Sequence, residues 1–292
     1  MPCTRVVHTF EGEATGDQFG WVSAPLPDVD GDGVQELVVG APFHDSAGSN
    51  AGRIYVYDGR TGLLLFHADG GAAEERLGHS VRDAGDLDGD GVGDVLAGGP
   101  ATTGSGVARV FSGADGSPLL VVPIGGAGDG FGFSVASLGD VDGDHVPDLA
   151  VGATREDSTA TDAGRAYVVS GADGTTVLRS FLGEQVGDGF GSAVSRLGDV
   201  NGDGVAELAV GAGAGGPNNR GKVYVFDVVA NAQLWTVVPD ASGASFGQFF
   251  VDPAGHIDAD AFPDLYVGDF SDGGGRGKAY VFSGVIPTPP VP

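Results

Sequence analysis

A nine-residue acidic loop recurs five times along this chain, and no other feature constrains the fold as much. It reads DVDGDGVQE from Asp28, DLDGDGVGD from Asp86, DVDGDHVPD from Asp140, DVNGDGVAE from Asp199 and, degraded, HIDADAFPD from His256. Successive starts lie 58, 54, 59 and 57 residues apart. A near-constant period of this length marks one supersecondary unit stacked on copies of itself. Each unit carries one polar loop.

The flanking residues give the unit its shape. Each opens with an aromatic residue or Leu before Gly: Phe19-Gly20, Leu77-Gly78, Phe131-Gly132, Phe190-Gly191 and Phe246-Gly247. The five units open near 17, 75, 129, 188 and 245. A short apolar run follows each acidic loop, such as Leu37-Val38-Val39-Gly40-Ala41-Pro42. An alternating run comes next, such as Arg53-Ile54-Tyr55-Val56-Tyr57, then a turn and a last run. These segments are β-branched and aromatic, bounded by Gly, Asp and Pro, and none keeps a 3.6-residue apolar period. Four antiparallel strands per repeat make a propeller blade. The expected fold is therefore all-β, a five-bladed β-propeller over residues 4–284, with 285–292 a Pro-rich tail or linker.

The fifth unit stops after its third strand, at Phe282-Ser283-Gly284. The chain opens with an orphan run, Arg5-Val6-Val7-His8-Thr9-Phe10. That N-terminal strand is expected to close the last blade and remove an open edge. A truncated seven-bladed ring is the alternative. Further domains are expected beyond the tail in the native chain.

Carboxylates at loop positions 1, 3, 5 and 9, with the carbonyl at 7, converge if the chain turns tightly between two strands. Hard oxygens in that number suit Ca²⁺, which takes six to eight at about 2.3–2.6 Å. Without thiolates and with little imidazole, Zn²⁺ and Cu²⁺ are disfavoured. The start resembles an EF-hand loop, but here the last acid comes at position 9 and strands flank it. The bland reading is that Asp and Gly merely form turns; five repeats of one pattern weigh against it. Four sites are expected. They are Asp28, Asp30, Asp32, Val34 and Glu36; Asp86, Asp88, Asp90, Val92 and Asp94; Asp140, Asp142, Asp144, Val146 and Asp148; and Asp199, Asn201, Asp203, Val205 and Glu207. The third has His145 where others have Gly, a residue that tolerates positive φ. The fourth loses one charge at Asn201. The fifth keeps only Asp258, Asp260, Phe262 and Asp264, with His256 at position 1, and its occupancy is doubtful.

The formal charge is −26, with a sequence pI of about 4.1. The loops hold 18 of the 40 acidic residues, so much of the charge is placed as ligand charge. A chain this acidic does not bind nucleic acid or insert into an anionic membrane unaided. The single cysteine, Cys3, rules out an internal disulfide framework. No apolar run is long enough to span a membrane, and MPCTRVVHTF lacks the apolar core of a signal peptide.

Catalytic constellations are missing. There is no His-Glu-x-x-His and no Gly-x-Ser-x-Gly, and the six histidines are scattered. Gly216 to Lys222 imitates a phosphate loop but leads into a strand, so it reads as a hairpin turn. Trp21 and Trp235 read as inter-blade packing rather than sugar-stacking platforms.

Phe-Gly, the acidic loop and Val39-Gly40-Ala41-Pro42, in that order, resemble the FG-GAP repeat. That repeat builds the propeller of integrin α-subunit heads and of many bacterial secreted proteins. Integrin propellers have seven blades, so this chain departs in number. The resemblance implies Ca²⁺ in the loops between first and second strands, on one face. It implies ligand contacts on the opposite face, from loops that here include Phe43 to Asn50, Thr154 to Asp162, Gly213 to Asn219 and Phe270 to Gly275. The expected function is an extracellular or cell-surface, calcium-binding, non-enzymatic adhesion or recognition module for an unknown protein or glycan. A structural spacer in a surface or filament protein is the alternative, as is the non-catalytic part of a secreted hydrolase.

Overall fold

The computed structural model describes residues 6–240, 245–258, 260–271 and 275–284. Five antiparallel sheets follow one another along the chain. Blade 1 holds β1 (Val22–Leu26), β2 (Glu36–Ala41), β3 (Arg53–Tyr57) and β4 (Leu64–Asp69). Blade 2 holds β5 (Ser80–Gly85), β6 (Asp94–Gly99), β7 (Val107–Phe111) and β8 (Pro118–Val122). Blade 3 holds β9 (Phe131–Gly139), β10 (Asp148–Ala153), β11 (Arg165–Val169) and β12 (Val177–Leu182). Blade 4 holds β13 (Phe190–Gly198), β14 (Glu207–Ala212), β15 (Lys222–Asp227) and β16 (Ala232–Val237). Blade 5 holds β17 (Val251–Gly255), β18 (Asp264–Asp269) and β19 (Lys278–Phe282). The first strands of all five line one central cavity, so the fold is a five-bladed β-propeller. The segment Gly216–Lys222 makes a 3₁₀ turn at Pro217–Asn219 and enters β15, as a hairpin turn should.

Apolar residues alternate onto two faces of each blade, and neighbouring blades bury those faces together. One cluster joins blades 1 and 2, with Leu26, Val38, Ile54 and Val56 against Leu77, Val81, Val95 and Phe111. Equivalent clusters join blades 2 and 3, 3 and 4, and 4 and 5. Trp235 is buried in the last of these. The Phe of Phe-Gly packs edge-on to the third-strand Tyr of its own blade. The pairs are Phe19–Tyr55 at 5.2 Å, Phe131–Tyr167 at 5.6 Å, Phe190–Tyr224 at 5.2 Å and Phe246–Tyr280 at 5.2 Å. Blade 2 changes both partners at once: Leu77 replaces the Phe, and Arg109 takes the Tyr position and pairs with Glu75 at 2.8 Å.

Backbones meet between blades at glycine. A Cβ on Gly152 of β10 would lie 2.0 Å from the Gly191 carbonyl oxygen of blade 4. Gly40 stands in the same way against Gly78, Gly98 against Gly132, and Gly211 against Gly247. These second-strand glycines are required by space, because the facing atom is backbone and cannot rotate away.

The seam between blades 5 and 1 differs. A Cβ on Gly268 would meet Phe250 of its own blade, and one on Gly20 would meet nothing within 4 Å. Val281 is 48% exposed, whereas its equivalents Val56, Val110, Val168 and Val225 are all at 0%. Among the described residues no apolar cluster bridges this seam. Of the expected closing strand, residues 6–10 carry no strand assignment, and Arg5 lies outside the described residues. Instead His8 Nε2 donates to the Gly59 carbonyl, 3.0 Å away, and Phe10 lies 4.2 Å from Tyr57. The N-terminal run therefore lies on blade 1, held by an aromatic contact and a turn carbonyl.

The glycine contact yields a test. Gly152→Ala should destabilise the chain by about 1–3 kcal/mol through overpacking. Urea unfolding would measure it. An unchanged midpoint would mean that the blades can move apart there without cost.

Candidate metal centres

Each acidic loop joins the first strand of a blade to the second, so all five lie at the same end of the central cavity. Carboxylate oxygens approach within 4.8 Å of one another in five groups. These are Asp28, Asp30, Asp32 and Glu36; Asp86, Asp88 and Asp90; Asp140, Asp142 and Asp148; Asp199, Asp203 and Glu207; and Asp258, Asp260 and Asp264. Asp94 and Asp144 stand in their loops but outside these groups. Val34, Val92, Val146, Val205 and Phe262 hold the seventh position, and the amide of each donates to the carboxylate two residues earlier, at 2.7–2.9 Å.

The loops are shaped by their own carboxylates. Asp28 accepts the amides of Gly31, Asp32 and Gly33 at 2.8, 3.0 and 2.7 Å. Asp86, Asp140 and Asp199 do the same for two amides each. His145 takes φ 72° in this turn, as expected of a residue that tolerates the left-handed region. In the fifth loop, His256 cannot accept those amides. Its Nδ1 sits 3.0 Å from the Phe262 carbonyl oxygen, the atom expected as a ligand.

The ninth position divides the loops. Glu36 accepts the Val29 amide through Oε2 at 2.7 Å, while its buried Oε1 has no hydrogen-bond partner. An orphaned buried carboxylate oxygen beside three aspartates fits a cation site. Asp94 instead uses both oxygens, on Leu87 and on Gly113 of the β7–β8 turn, at 2.8 and 3.1 Å. Asp148 and Asp264 repeat this. The shorter acid thus ties the loop to the far turn of its blade. In the fourth loop the Asn201 side-chain nitrogen donates to Glu207 at 2.7 Å and Asp227 at 3.1 Å. A donor there relieves part of the repulsion that a fourth carboxylate would add. Burial, followed by neighbouring aspartates, raises Glu36 and Asp148, pushes Asp94 to about 6 and Glu207 to about 7.

The other mouth of the cavity is aromatic. The cavity measures about 410 Å³ and is lined by Trp21, His79, Phe133, Phe249 and Phe250 above the Arg82–Asp252 pair, 3.5 Å apart. Rings succeed one another around it. Phe43 and Trp21 are 6.4 Å apart, Trp21 and His79 5.5 Å, His79 and Phe133 4.7 Å, Phe133 and Phe249 6.0 Å, and Phe249 and Phe270 5.8 Å. Trp21, expected in inter-blade packing, does touch blade 2 at His79 but is 48% exposed. Burial lowers His79 to about 4, so it is neutral at pH 7. The sequence signal for this belt is the residue one or two places after the Phe-Gly or Leu-Gly of blades 1, 2, 3 and 5, namely Trp21, His79, Phe133 and Phe249, whereas blade 4 has Ser192 and Ala193 there.

A second set, cations opening the third strands, also has a periodic sequence signal. Arg53 pairs with Glu13 at 3.0 Å, Lys222 with Glu184 at 3.2 Å and Lys278 with Asp240 at 2.8 Å. Each acid lies six residues before its Phe-Gly.

A family model described as "FG-GAP repeat" matches residues 19–57, 131–169 and 190–226, which are blades 1, 3 and 4. Blades 1, 3 and 4 are FG-GAP repeats. Blade 2, with Leu77 in place of Phe, and blade 5, with its degraded loop, lie outside the match but share the geometry. Among curated relatives, a stretch of 167 residues is 36% identical to Integrin alpha-PS2 of Drosophila melanogaster, covering 49% of this chain and 12% of the relative. Integrin alpha-V of Gallus gallus is 32% identical over 209 residues, covering 66% and 20%. Integrin alpha-IIb of Homo sapiens is 36% identical over 154 residues, covering 48% and 15%. The matches thus span a fifth or less of these relatives. Among solved structures, Saccharomyces cerevisiae Sqt1 superposes with a TM-score of 0.55 at 16% identity, covering 92% of this chain and 60% of that one. BBS1N, crystallised with ARL6DN, gives 0.54 at 11%, covering 91% and 64%. These two likenesses show the fold alone.

The raised acids set a pH dependence for the metal-free chain. Asp94 and Glu207 ionise less readily folded than unfolded, where such groups titrate near about 4. The folded chain holds the extra protons from there up to about 6 for Asp94 and about 7 for Glu207. Stability from these two groups is full below that window and is lost as pH rises through it. In chelator, the melting temperature should fall from pH 5 to pH 7.5; a rise would contradict the burial of these acids.

Proposed function

We propose that this chain is an extracellular calcium-binding propeller that serves as a non-enzymatic recognition module for a protein or glycan. The observation that carries the recognition reading is the aromatic belt. Trp21, Phe249, Phe250 and Phe270 are 48%, 39%, 51% and 48% exposed around one concave mouth. Contiguous exposed aromatic surface marks a binding site, and stiff rings lose little entropy when a partner covers them. The loops from Phe43 and from Phe270 reach the same mouth, where the FG-GAP resemblance puts ligand contacts. Of the titratable groups described there, His79 is neutral and bound to the Phe133 carbonyl at 3.1 Å, and Asp252 is paired with Arg82 at 3.5 Å.

The acidic end supports the fold in this reading. Asp28, Asp30, Asp32 and Glu36 would hold the first calcium ion, with Val34 supplying its carbonyl, and the second to fourth loops would hold others. The bound ion supplies charge compensation for carboxylates that otherwise repel. Arg60, 2.5 Å from Asp32, is the protein's own partial substitute at the first loop. Loss of that repulsion should stiffen the first-to-second strand turns and so fix the blades that present the aromatic mouth.

Two experiments test the two halves. Calcium should raise the melting temperature, with affinities on the order of 10⁻⁴–10⁻³ M as in extracellular modules. Asp30→Ala should remove one site and leave the others. A melt that is identical in calcium and in chelator would sink the metal half. For recognition, the calcium-loaded chain is screened on a glycan array and a panel of extracellular-matrix proteins. Trp21→Ala and Phe249→Ala should each weaken a hit at least about tenfold without moving the melt, since hot-spot aromatics contribute 2 kcal/mol or more. Binding that survives both substitutions would move the partner surface elsewhere, and a blank screen would favour the spacer.

A further inference from the structure

One backbone position at the rim of the aromatic mouth carries a side chain at a cost. The residue just before the opening aromatic or Leu lies at positive φ in blades 1 to 4: 52° at Gln18, 59° at Arg76, 68° at Gly130 and 60° at Gly189. Blades 3 and 4 use glycine, which takes this conformation freely. Blade 2 places an arginine there, two residues after Glu74 at φ 64°. Side chains held in the left-handed region cost free energy and cluster at sites that use them.

The Arg76 side chain is held in place but not satisfied. Its guanidinium lies over the Phe43 ring, 4.9 Å from the centroid, and Phe43 packs on Trp21 of the belt. Its backbone carbonyl accepts the His79 amide at 3.1 Å, and its charge is felt at the His79 ring. Four cation–ring contacts occur among the described residues. In three of them the cation also hydrogen-bonds an acid: Arg53 with Asp69, Arg165 with Glu156 and Lys222 with Glu184. Arg76 is the exception. The carboxylate of Glu74 stands 3.8 Å from it, too far for a hydrogen bond. Both Glu74 oxygens are taken, by Asn50 at 2.9 Å and by Thr102 at 3.0 Å. The Arg76 Nε is buried and has no hydrogen-bond partner, while the side chain as a whole is 26% exposed. A stacked, immobilised guanidinium with an unmet donor is a ready fork for a carboxylate.

We propose that Arg76 is the anion anchor of the aromatic mouth, and that the partner is a protein segment with an Asp or Glu beside a large apolar side chain. The inference rests on the recognition reading above and supplies its chemistry. The apolar side chain enters the cavity among Trp21, Phe133 and Phe249, and the carboxylate takes two guanidinium N–H groups on the rim. A protein fits this mouth better than a sugar does. Trp and Arg side by side are the composition of a protein hot spot. The cavity serines Ser80, Ser134 and Ser192 are buried and already hydrogen-bonded to backbone, so the wall offers few free hydroxyls to a sugar. The acidic loops, which would repel such a partner, lie at the opposite end of the cavity.

The probe is a displayed library of random peptides, panned on the calcium-loaded full chain, with the enriched peptides then titrated singly. They should carry Asp or Glu within a few positions of Phe, Leu or Trp. Arg76→Gly should weaken them at least about tenfold, as expected for a lost charge-assisted hydrogen bond. Its melting temperature should stay level or rise, because glycine relieves the strained position. Arg76→Lys keeps the charge without the fork and should recover part of the affinity. A lowered melt together with lost binding would make Arg76 structural and overturn the proposal. Enrichment without acids, or no enrichment, would overturn it as well. Affinity that Arg76→Gly leaves intact but Trp21→Ala abolishes removes the anchor and keeps the mouth. Affinity that Trp21→Ala leaves intact removes the recognition reading itself. If a uronate-bearing oligosaccharide binds through Arg76 and peptides do not, the anchor serves a sugar and the protein class is wrong.

Discussion

Backbone-to-backbone contact at glycine is the constraint on which the rest of this structure depends. The second-strand glycine of one blade faces the carbonyl after the opening aromatic of the next, with no room for a methyl group between them. That approach sets the blade spacing. Given the spacing, Leu26, Val38, Ile54 and Val56 can reach Leu77, Val81 and Val95, and the equivalent clusters can close farther round. The opening aromatic is then pinned inside its own blade by the third-strand tyrosine. The two halves of the repeat signature are thus two sides of one contact, made between successive copies of the unit and not within one.

Much of this was legible in the sequence because periodicity carries it. The five loops, the strands between Gly and Pro boundaries and the hairpin at Gly216–Lys222 all follow local rules that act within a few residues. Asp94 and Asp148 were harder. They look like ligands by spacing, yet each spends both oxygens on amides, one of them nineteen or more residues away in the turn after the third strand. One methylene separates them from Glu36, which leaves an oxygen free. Asn201 and His256 show a similar limit. Sequence marks the lost charge, whereas only the fold shows that Asn201 donates to Glu207 and Asp227, and that His256 turns onto the Phe262 carbonyl. The aromatic belt was not read because its members come from different blades, and nothing local links Trp21 to His79 or Phe133 to Phe249.

Charge is divided unevenly over the molecule. The cations that open the third strands are used on linker acids, as in Arg53–Glu13 and Lys222–Glu184, on the side away from the acidic loops. Only Arg60 and His145 reach a loop carboxylate among the described residues, at Asp32 and Asp140. The loop end therefore keeps nearly all of its negative charge, and the aromatic end is close to neutral at its centre.

The seam decides how the molecule comes apart. A repeat array in which every unit has two neighbours loses structure all at once, since no unit can leave without exposing two faces. An array with a break has ends, and its end unit opens at a lower free energy than the middle. Blade 1 is capped by the N-terminal run, whereas among the described residues the apolar cluster of blade 5 is shared with blade 4 alone, and its contacts with blades 2 and 3 are Arg82–Asp252 and Phe133–Phe249 across the cavity. With the seam parted, the degraded fifth loop and its three strands form the weakest cooperative unit, and fraying there would leave four blades standing with the Phe133 side of the aromatic mouth intact.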